Sequence, residues 1–170
     1  MHRLHLLRHA KSDRDAAVED HERPLSRRGR EAARRVGKSL PSALGTIDLV
    51  LCSPSLRTRE TAELVLAGFA SPPRVLYEKA LYLAGRVALL RRLSRLDESL
   101  GAVLVIGHNP GLHELAVGLA ANDSSPYEVL AGGKFPTAAR ASFAIEGAWA
   151  DLARTRHKIT DYVTAKSLQD

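Results

Sequence analysis

Short, nearly unbroken apolar runs alternate with longer stretches of helical periodicity, and this alternation constrains the fold more than any other feature of the sequence. Residues 4–7, 47–52 and 102–106 are apolar runs of strand length. The second run ends in Ser-Pro and the third in Gly-His-Asn-Pro, and both endings are typical of turns. Such runs suit parallel strands that are covered on both faces, so the sequence predicts an α/β fold.

Helical periodicity supplies the elements that would cover such a sheet. Ser26 is a candidate N-cap for a helix that we expect to end before Pro41, because proline cannot donate the backbone hydrogen bond of a continuing helix. Three further helices are predicted over residues 57–67, 86–95 and 111–121.

The last third of the chain combines an irregular stretch with a strand. Residues 122–137 are rich in Ser, Pro and Gly and predict a long loop, whereas residues 140–145 predict a strand. The 170 residues contain no repeat, low-complexity tract or linker, and their number suits a single core. We therefore expect residues 1–170 to form one domain.

The charge balance favours an anionic partner. The chain carries 25 Lys and Arg against 19 Asp and Glu, which gives a net charge of +6 and a pI near 9.8. A nucleic-acid interface would need aromatic stacking residues or a recognised binding module, but aromatic residues make up only 5% of the chain. We expect no nucleic-acid binding, and charge alone leaves acidic proteins and phosphorylated substrates open.

Cysteine content and hydropathy exclude several other classes of protein. Cys52 is the only cysteine, which rules out a disulfide framework and any metal site built from several thiolates. No run of 18 apolar residues is present, and the apolar stretch at the start is too short for a signal peptide. We expect a cytoplasmic protein without membrane contact, and a monomer.

Two histidines occupy the positions where a parallel sheet places its ligand-binding residues. His9 directly follows the first predicted strand, and His108 follows the third. Ligands of open α/β sheets bind beyond the carboxyl ends of the strands, so adjacent strands would aim both imidazoles into one crevice. The alternative is that each is an isolated loop or core histidine.

Two arginines accompany these histidines. Arg8 precedes His9, and Arg57 falls in the first turn of the helix that follows the second predicted strand. Planar guanidinium groups present paired donors that match phosphate oxygens, and a helix N-terminus adds backbone N–H groups. Arg8 and Arg57 therefore look like a phosphate clamp, whereas Arg59 projects from another helix face and is expected to be solvated.

Five segments, in this order along the chain, carry a resemblance to a known family. They are Leu-Leu-Arg-His-Ala-Lys at 6–11, Asp-His-Glu-Arg-Pro-Leu-Ser-x-x-Gly at 20–29, Ser-Pro-Ser-Leu-Arg-x-x-x-Thr-Ala at 53–62, Gly-His-Asn-Pro-Gly-Leu at 107–112 and Phe-Pro-Thr at 135–137. The chain resembles the histidine phosphatase (phosphoglycerate-mutase-like) superfamily, and within it the short bacterial phosphohistidine phosphatases of the SixA type. This resemblance implies a three-layer α/β/α sandwich around a mostly parallel sheet.

The resemblance implies that His9 is the nucleophile that becomes phosphorylated, and that Arg8, Arg57 and His108 bind the phosphoryl group. The chemistry agrees, because a neutral imidazole nitrogen can attack phosphorus in line and form a phosphohistidine that water then cleaves. The two arginines and a protonated His108 would neutralise the equatorial oxygens of the transition state. We therefore expect neither a metal ion nor another cofactor.

Further residues near these motifs are candidates for substrate contacts. Lys11 and Arg23 would extend the positive field toward a phosphate carried on a protein, with exposed cations as the alternative. Asn109 is a third candidate contact, although Asn109 and Thr137 would also shape the pocket through turn geometry alone.

The general acid is where the chain departs from the family pattern. Many members carry Arg-His-Gly followed by a Glu. In those members a further Glu, on the loop after the third strand of the family's own sheet, protonates an alkoxide leaving group. Here the first motif reads Arg-His-Ala-Lys, and the corresponding loop over residues 78–85 has no carboxylate after Glu78. Glu78 and Asp20 are the candidate general acids, with a surface role as the alternative for each.

This departure bears on the substrate. An imidazole leaving group depends on a dedicated acid less than an alkoxide does, because the ring can carry the proton away. A phosphorylated protein, such as a histidine-containing phosphocarrier or phosphotransfer domain, is therefore favoured over phosphoglycerate, and the short loops agree with an open pocket. The alternatives are a broad-specificity phosphomonoesterase for small phosphorylated substrates and a non-catalytic adaptor that binds phosphorylated partners. Two retained histidines disfavour the adaptor, since binding needs only the arginines.

Overall fold

A six-stranded sheet forms the centre of the computed structural model, which describes residues 1–168. The strands are β1 (His2–Arg8), β2 (Leu49–Cys52), β3 (Val75–Tyr77), β4 (Ala102–Gly107), β5 (Arg140–Ile145) and β6 (Lys158–Val163). Their order across the sheet is β3-β2-β4-β1-β5-β6. Strands β1 to β4 are mutually parallel, and β5 is antiparallel to both of its neighbours. The prediction of a mostly parallel sheet is confirmed.

The helices cover both faces of this sheet. They are α1 (Arg27–Leu44), α2 (Leu56–Leu66), α3 (Arg86–Ser94), α4 (Gly111–Leu119) and α5 (Ser125–Gly132). Successive strand residues point to opposite faces, so Leu6 packs in the apolar cluster beneath α3 and α4, and Leu7 packs in the cluster beneath α1 and α2. Two buried clusters on the two sides of one sheet make the predicted three-layer sandwich. The predicted bounds of α2, α3 and α4 agree with the structure to within two residues.

Helix α1 continues to Leu44, so the prediction that it ends before Pro41 is wrong. Ser26 is its N-cap, and the Ser26 hydroxyl accepts a hydrogen bond from a backbone N–H of the first turn (3.1 Å). Pro41 lies in the last turn, where the Gly45 N–H still donates to the Pro41 carbonyl (3.0 Å). Buried Leu40 and Leu44 hold this turn against the sheet, and this packing outweighs the single backbone bond that proline removes.

Three elements lie where no strong sequence pattern predicts them. Helix α5 occupies the middle of the stretch predicted as a loop, and the Ser124 hydroxyl caps it by accepting from the Tyr127 N–H (3.3 Å). The long-loop prediction is therefore wrong over residues 125–132. Strands β3 and β6 form the two edges of the sheet, where exposed and half-buried residues replace the unbroken apolar runs of the central strands.

The register of the central strands brings three turns together at the carboxyl ends of β1, β2 and β4. Arg8 at the end of β1 pairs with Gly107 at the end of β4, and Cys52 at the end of β2 pairs with Ile106. The residues that follow these three strands therefore emerge side by side. No helix within residues 1–168 has both the length and the apolar character that crossing a membrane requires.

Gly111 at the start of α4 provides a test of this packing. A Cβ at Gly111 would lie 1.9 Å from the Ala84 carbonyl oxygen, so helix or loop must move to accept alanine. We expect Gly111→Ala to lower the free energy of unfolding by about 1–3 kcal/mol in a denaturant titration. Gly132→Ala is the matched control, because its Cβ would meet nothing within 4 Å, and it should leave stability unchanged or slightly raised. Equal stabilities for both variants would contradict the close contact.

Candidate active site

The carboxyl ends of the central strands bring the two sequence-predicted histidines together. His9 follows β1 and His108 follows β4, and both side chains are buried. Their ring centroids are 5.3 Å apart, and the ring planes are inclined by 60°. The two imidazoles therefore face one space and can contact the same small group.

Arg8 and Arg57 flank the same space. Arg57 lies in the first turn of α2 with its side chain only 3% exposed, and its Nη2 is 3.5 Å from Nδ1 of His108. Arg8 donates from Nη1 to the Phe135 carbonyl (3.1 Å). The Nε–H of each arginine is buried without a partner among residues 1–168. Buried N–H groups without acceptors are rare, so these two donors are suited to the oxygens of an anionic ligand.

These side chains line a cavity of about 910 Å³. Its lysine and arginine residues are Arg8, Lys11, Arg14, Arg23, Arg57 and Lys134. Asp20 is the one carboxylate among the lining residues within the described chain. In the same part of the chain, no three His, Cys, Asp or Glu side chains converge in a way that would hold a metal ion. The charge of the cavity favours an anion.

Hydrogen bonding fixes the tautomer of His9. The Ala10 carbonyl can only accept, so Nδ1–H of His9 donates to it (2.7 Å) and Nε2 keeps its lone pair. Burial lowers the pKa of His9 to about 4, and the neighbouring Arg8 and Arg57 contribute in the same direction. The ring is therefore neutral near pH 7, which is the form that a nucleophile requires.

Two residues without a predicted role hold the loop that carries His9. Thr61 on α2 accepts a hydrogen bond from the Ala10 N–H (3.0 Å), and its hydroxyl donates to the Arg57 carbonyl (2.7 Å). Ala138 donates its N–H to the carbonyls of Arg8 (3.1 Å) and His9 (3.0 Å), with a positive φ of 64°. Thr61 falls in one of the five motif segments, which is a usable signal. Nothing in the sequence marks Ala138.

His108 is neutral in the structure, and the protonated ring expected at the transition state stays a prediction. Burial, together with His9 and Arg57, lowers the pKa of His108 to about 3. Nε2 lies 2.7 Å from the hydroxyl of Ser53, which is fully buried at the end of β2. Arg57 can only donate, so Nδ1 of His108 accepts from its Nη2, and the proton of the neutral ring lies on Nε2, which donates to the Ser53 hydroxyl. Ser53 is a site residue that the sequence reasoning missed, although its Ser-Pro motif marked the strand end.

Asp20 occupies the outer side of Arg57. Its carbonyl accepts from Nη1 of Arg57 (2.7 Å), and its carboxylate accepts from Nη2 (3.0 Å) and from Nε of Arg23 (3.1 Å). The Tyr82 hydroxyl donates to the same carboxylate. The hydrogen bonds from Tyr82, Arg57 and Arg23 hold the pKa of Asp20 well below its usual range. In this arrangement Asp20 is an ionised acceptor, a state that disfavours the role of general acid suggested by the sequence.

The other candidate acid does not reach the cavity. Both carboxylate oxygens of Glu78 accept from Arg92 of α3, at 2.7 Å and 2.9 Å, and Glu78 does not line the cavity. Arg59 also lies outside it, but it is half-buried and donates to the Pro54 carbonyl (3.0 Å), so the prediction of a solvated side chain is wrong.

The three candidate substrate contacts all line the cavity. Lys11 is exposed at its rim, and Arg23 is tied to Ser12 by a hydrogen bond from Nη1 to the hydroxyl (2.6 Å). Asn109 donates from Nδ2 to the Phe135 carbonyl (2.8 Å), which Arg8 also contacts. Asn109 therefore helps to place the backbone that positions Arg8.

Comparisons with known proteins agree with this fold and site. Residues 4–80 match the sequence profile of the histidine phosphatase superfamily (branch 1). An uncharacterised protein of Mycobacterium tuberculosis, Rv1276c, is 36% identical over 149 residues, which cover 86% of this chain and 91% of that protein. A solved structure assigned as the phosphohistidine phosphatase SixA of Nakamurella multipartitia has a TM-score of 0.82 and 31% identity, covering 96% of this chain and 95% of that one. The protein histidine phosphatase SixA in complex with tungstate has a TM-score of 0.78 and 27% identity, covering 98% and 99%.

The chain belongs to the histidine phosphatase superfamily. Within that superfamily it falls in the SixA-type branch, whose solved members match nearly its whole length. The resemblance carried by the five sequence segments is therefore confirmed. The superfamily and these neighbours support phosphatase activity.

Replacing Asp20 by asparagine should strengthen the binding of an oxyanion. The substitution removes the negative charge nearest to Arg57 but keeps the size of the side chain. Because the Asp20 side chain is 48% exposed, we expect a modest gain, about twofold to fivefold in the dissociation constant of inorganic phosphate by titration calorimetry. Asp15→Asn, an exposed position outside the cavity, is the matched control and should change nothing. Weaker or unchanged binding in the Asp20 variant would show that the carboxylate does not compete with the anion.

His9 should stay neutral well below the pH at which a free imidazole takes up its proton. At pH 5.5 an ordinary histidine is roughly nine-tenths protonated, whereas His9 has a pKa of about 4. Since the lowered pKa makes the folded state bind fewer protons, this contribution to stability is complete above about pH 6.5 and is lost as the pH falls toward 4. Ring-carbon NMR signals, assigned with a His9→Gln variant, report the midpoint directly. A midpoint near that of free histidine would contradict the burial argument.

Proposed function

We propose that this protein is a protein phosphohistidine phosphatase that transfers a phosphoryl group from a histidine of a phosphorylated protein to His9 and then to water. One observation carries the proposal. A neutral His9, with its Nε2 lone pair free, lies in the same cavity as two arginines whose buried Nε–H groups have no partner among residues 1–168. This is the arrangement that in-line attack on a bound phosphoryl group needs.

In the proposed first step, Nε2 of His9 attacks phosphorus while the bond from phosphorus to the substrate nitrogen breaks. The electron pair of that bond returns to the substrate ring, which leaves as neutral imidazole because its other nitrogen carries a proton. The His9 ring gains positive charge as it forms the new bond, and the hydrogen bond from its Nδ1–H to the Ala10 carbonyl stabilises that charge. Since one imidazole replaces another, the step does not need a strong acid. That agrees with an ionised Asp20 and with a Glu78 engaged by Arg92.

Arg8, Arg57 and His108 have the proposed role of holding the phosphoryl oxygens. Guanidinium groups stay charged at any working pH, so they can match the charge that the oxygens carry in the transition state. His108 would donate to a phosphoryl oxygen from Nδ1 once the ring is protonated there, because Nε2–H already donates to Ser53. We propose a metal-independent reaction because the two arginines supply the positive charge that metal ions provide in other phosphoryl-transfer enzymes.

In the second step, water attacks the phosphohistidine from the side that the substrate has left. The bond between phosphorus and Nε2 of His9 breaks, the electron pair returns to His9, and inorganic phosphate forms. A neutral imidazole with a low pKa is a competent leaving group for this step. The cycle therefore ends with His9 in the same tautomer as at the start.

The choice of a protein substrate is supported by the state of the two candidate acids and by the neighbours. The two carboxylates considered as acids are unavailable, which disfavours alkoxide leaving groups and hence metabolite esters. One similar structure is a protein histidine phosphatase complexed with tungstate, an oxyanion with the shape of phosphate. We propose, in addition, that residues 1–170 act as one domain, as a monomer and in the cytoplasm.

Product analysis tests this function. The wild-type protein is incubated with histidine-phosphorylated carrier proteins and, separately, with a panel of metabolite phosphates. Acid-labile and acid-stable phosphate are then counted. We expect the carriers to lose acid-labile phosphate with the higher kcat/KM. Faster turnover of sugar phosphates or phosphoglycerate would favour the small-molecule phosphomonoesterase, and binding without turnover would favour the adaptor.

His9→Ala is the matched variant in the same assay. It should abolish both turnover and covalent labelling of the protein, while the circular dichroism spectrum and the unfolding transition stay unchanged. Phosphatase activity that survives in a folded His9→Ala protein would remove His9 from its proposed role.

A further inference from the structure

A second cavity, of about 650 Å³, lies beside the catalytic one. The two cavities share three lining residues, Lys11, Pro136 and Thr137. They therefore form one continuous surface, and a ligand whose phosphoryl group is in the first cavity can extend into the second. We call the second cavity the basic groove and define it by Arg28, Arg35 and Lys166 together with the shared Lys11.

The basic groove has a fixed position relative to His9. Its floor is the outer side of α1, where Arg28 and Arg35 are two turns apart and share one face. The Lys11 carbonyl accepts from the N–H of Ser26, the N-cap of α1 (2.9 Å), and a Cβ at Gly29 would lie 1.9 Å from the same carbonyl. This close contact joins α1 directly to the loop that carries His9.

The charges of the basic groove are not neutralised within the described chain. Arg28, Arg35, Lys166 and Lys11 form no ion pair among residues 1–168. Glu31 is the one carboxylate in the lining, and Glu31 pairs with Arg27 (3.3 Å). The Nε–H of Arg35 is buried and has no acceptor in the same part of the chain. The groove therefore offers several cationic donors to an outside partner.

We infer that the basic groove binds an acidic patch on the phosphorylated protein substrate while the phosphohistidine of that protein lies against His9. This inference rests on the proposed function and adds to it the surface that recognises the partner. The cations come from α1, from the loop after β1 and from the segment after β6, so they span more than one phosphate could contact. A protein surface bearing several Asp and Glu side chains matches that spread, and charge complementarity of this kind speeds association and selects the partner.

Charge reversal in the basic groove tests the inference. Arg28→Glu combined with Lys166→Glu removes two exposed cations that do not line the catalytic cavity. A glutamate in the first turn of α1 is favourable to the helix, so that change should not impair folding. We expect kcat/KM for a histidine-phosphorylated carrier protein to fall by about tenfold or more at low salt, through KM, because the acidic patch then faces like charge. Turnover of phosphoramidate, a small molecule with the same P–N bond, should change by less than about twofold.

Arg34→Glu combined with Arg74→Glu is the matched control. Both positions are exposed and outside the two cavities, and the net charge changes by the same amount. This variant should keep most of its activity on the carrier protein. If both double variants lose the same factor in kcat/KM for the carrier protein, the loss reflects overall charge and the proposed docking surface is wrong.

These experiments distinguish a failure of the docking surface from a failure of the proposed function. If the groove variant hydrolyses the phosphorylated carrier as well as wild type does, the docking surface is wrong and the proposed function stands. If the wild-type protein hydrolyses small phosphate esters and no phosphorylated carrier, the proposed function fails and the docking surface fails with it.

Discussion

The parallel pairing of β1 with β4 is the constraint on which the site depends. It sets Arg8 opposite Gly107, so that His9 and His108 leave the sheet at the same height. A slip of one residue would turn each side chain of the strand to the opposite face and would separate the two imidazoles. The register is held by apolar residues on both faces of these strands, which are fully buried in two clusters. The packing that fixes the strand register therefore also fixes the positions of His9 and His108.

The same surroundings act on two kinds of basic side chain with opposite results. Burial removes the proton from His9 and His108, because imidazole has an ordinary pKa close to neutrality. Arg8 and Arg57 keep their charge beside these rings, because a guanidinium group stays protonated in proteins. A single cationic cavity thus holds a neutral nucleophile beside fixed positive donors. No separate device is needed to tune each group.

The sequence predicts a feature where the structure or the chemistry requires a particular type of residue. It does not predict features that depend on contacts between distant parts of the chain. Buried parallel strands need unbroken apolar runs, and phosphate chemistry needs histidine and arginine at strand ends, so β1, β2, β4 and the four principal site residues could be predicted. The edge strands β3 and β6 bury too little to leave such a pattern. The roles of Ser53, Tyr82 and Ala138 depend on partners far away in the chain, and the ionised state of Asp20 depends on two distant partners, Tyr82 and Arg57, as well as on nearby Arg23.

The contact between Asp20 and Arg57 has a consequence for the end of the catalytic cycle. Asp20 presents a carbonyl and a carboxylate oxygen to the outer edge of the guanidinium, much as an oxyanion would. An internal anion in this position should weaken the binding of inorganic phosphate, which is the product of the proposed reaction. When phosphate dissociates, Arg57 still has Asp20 as its hydrogen-bond partner. Release of the product is then less able to limit the rate of the next turnover.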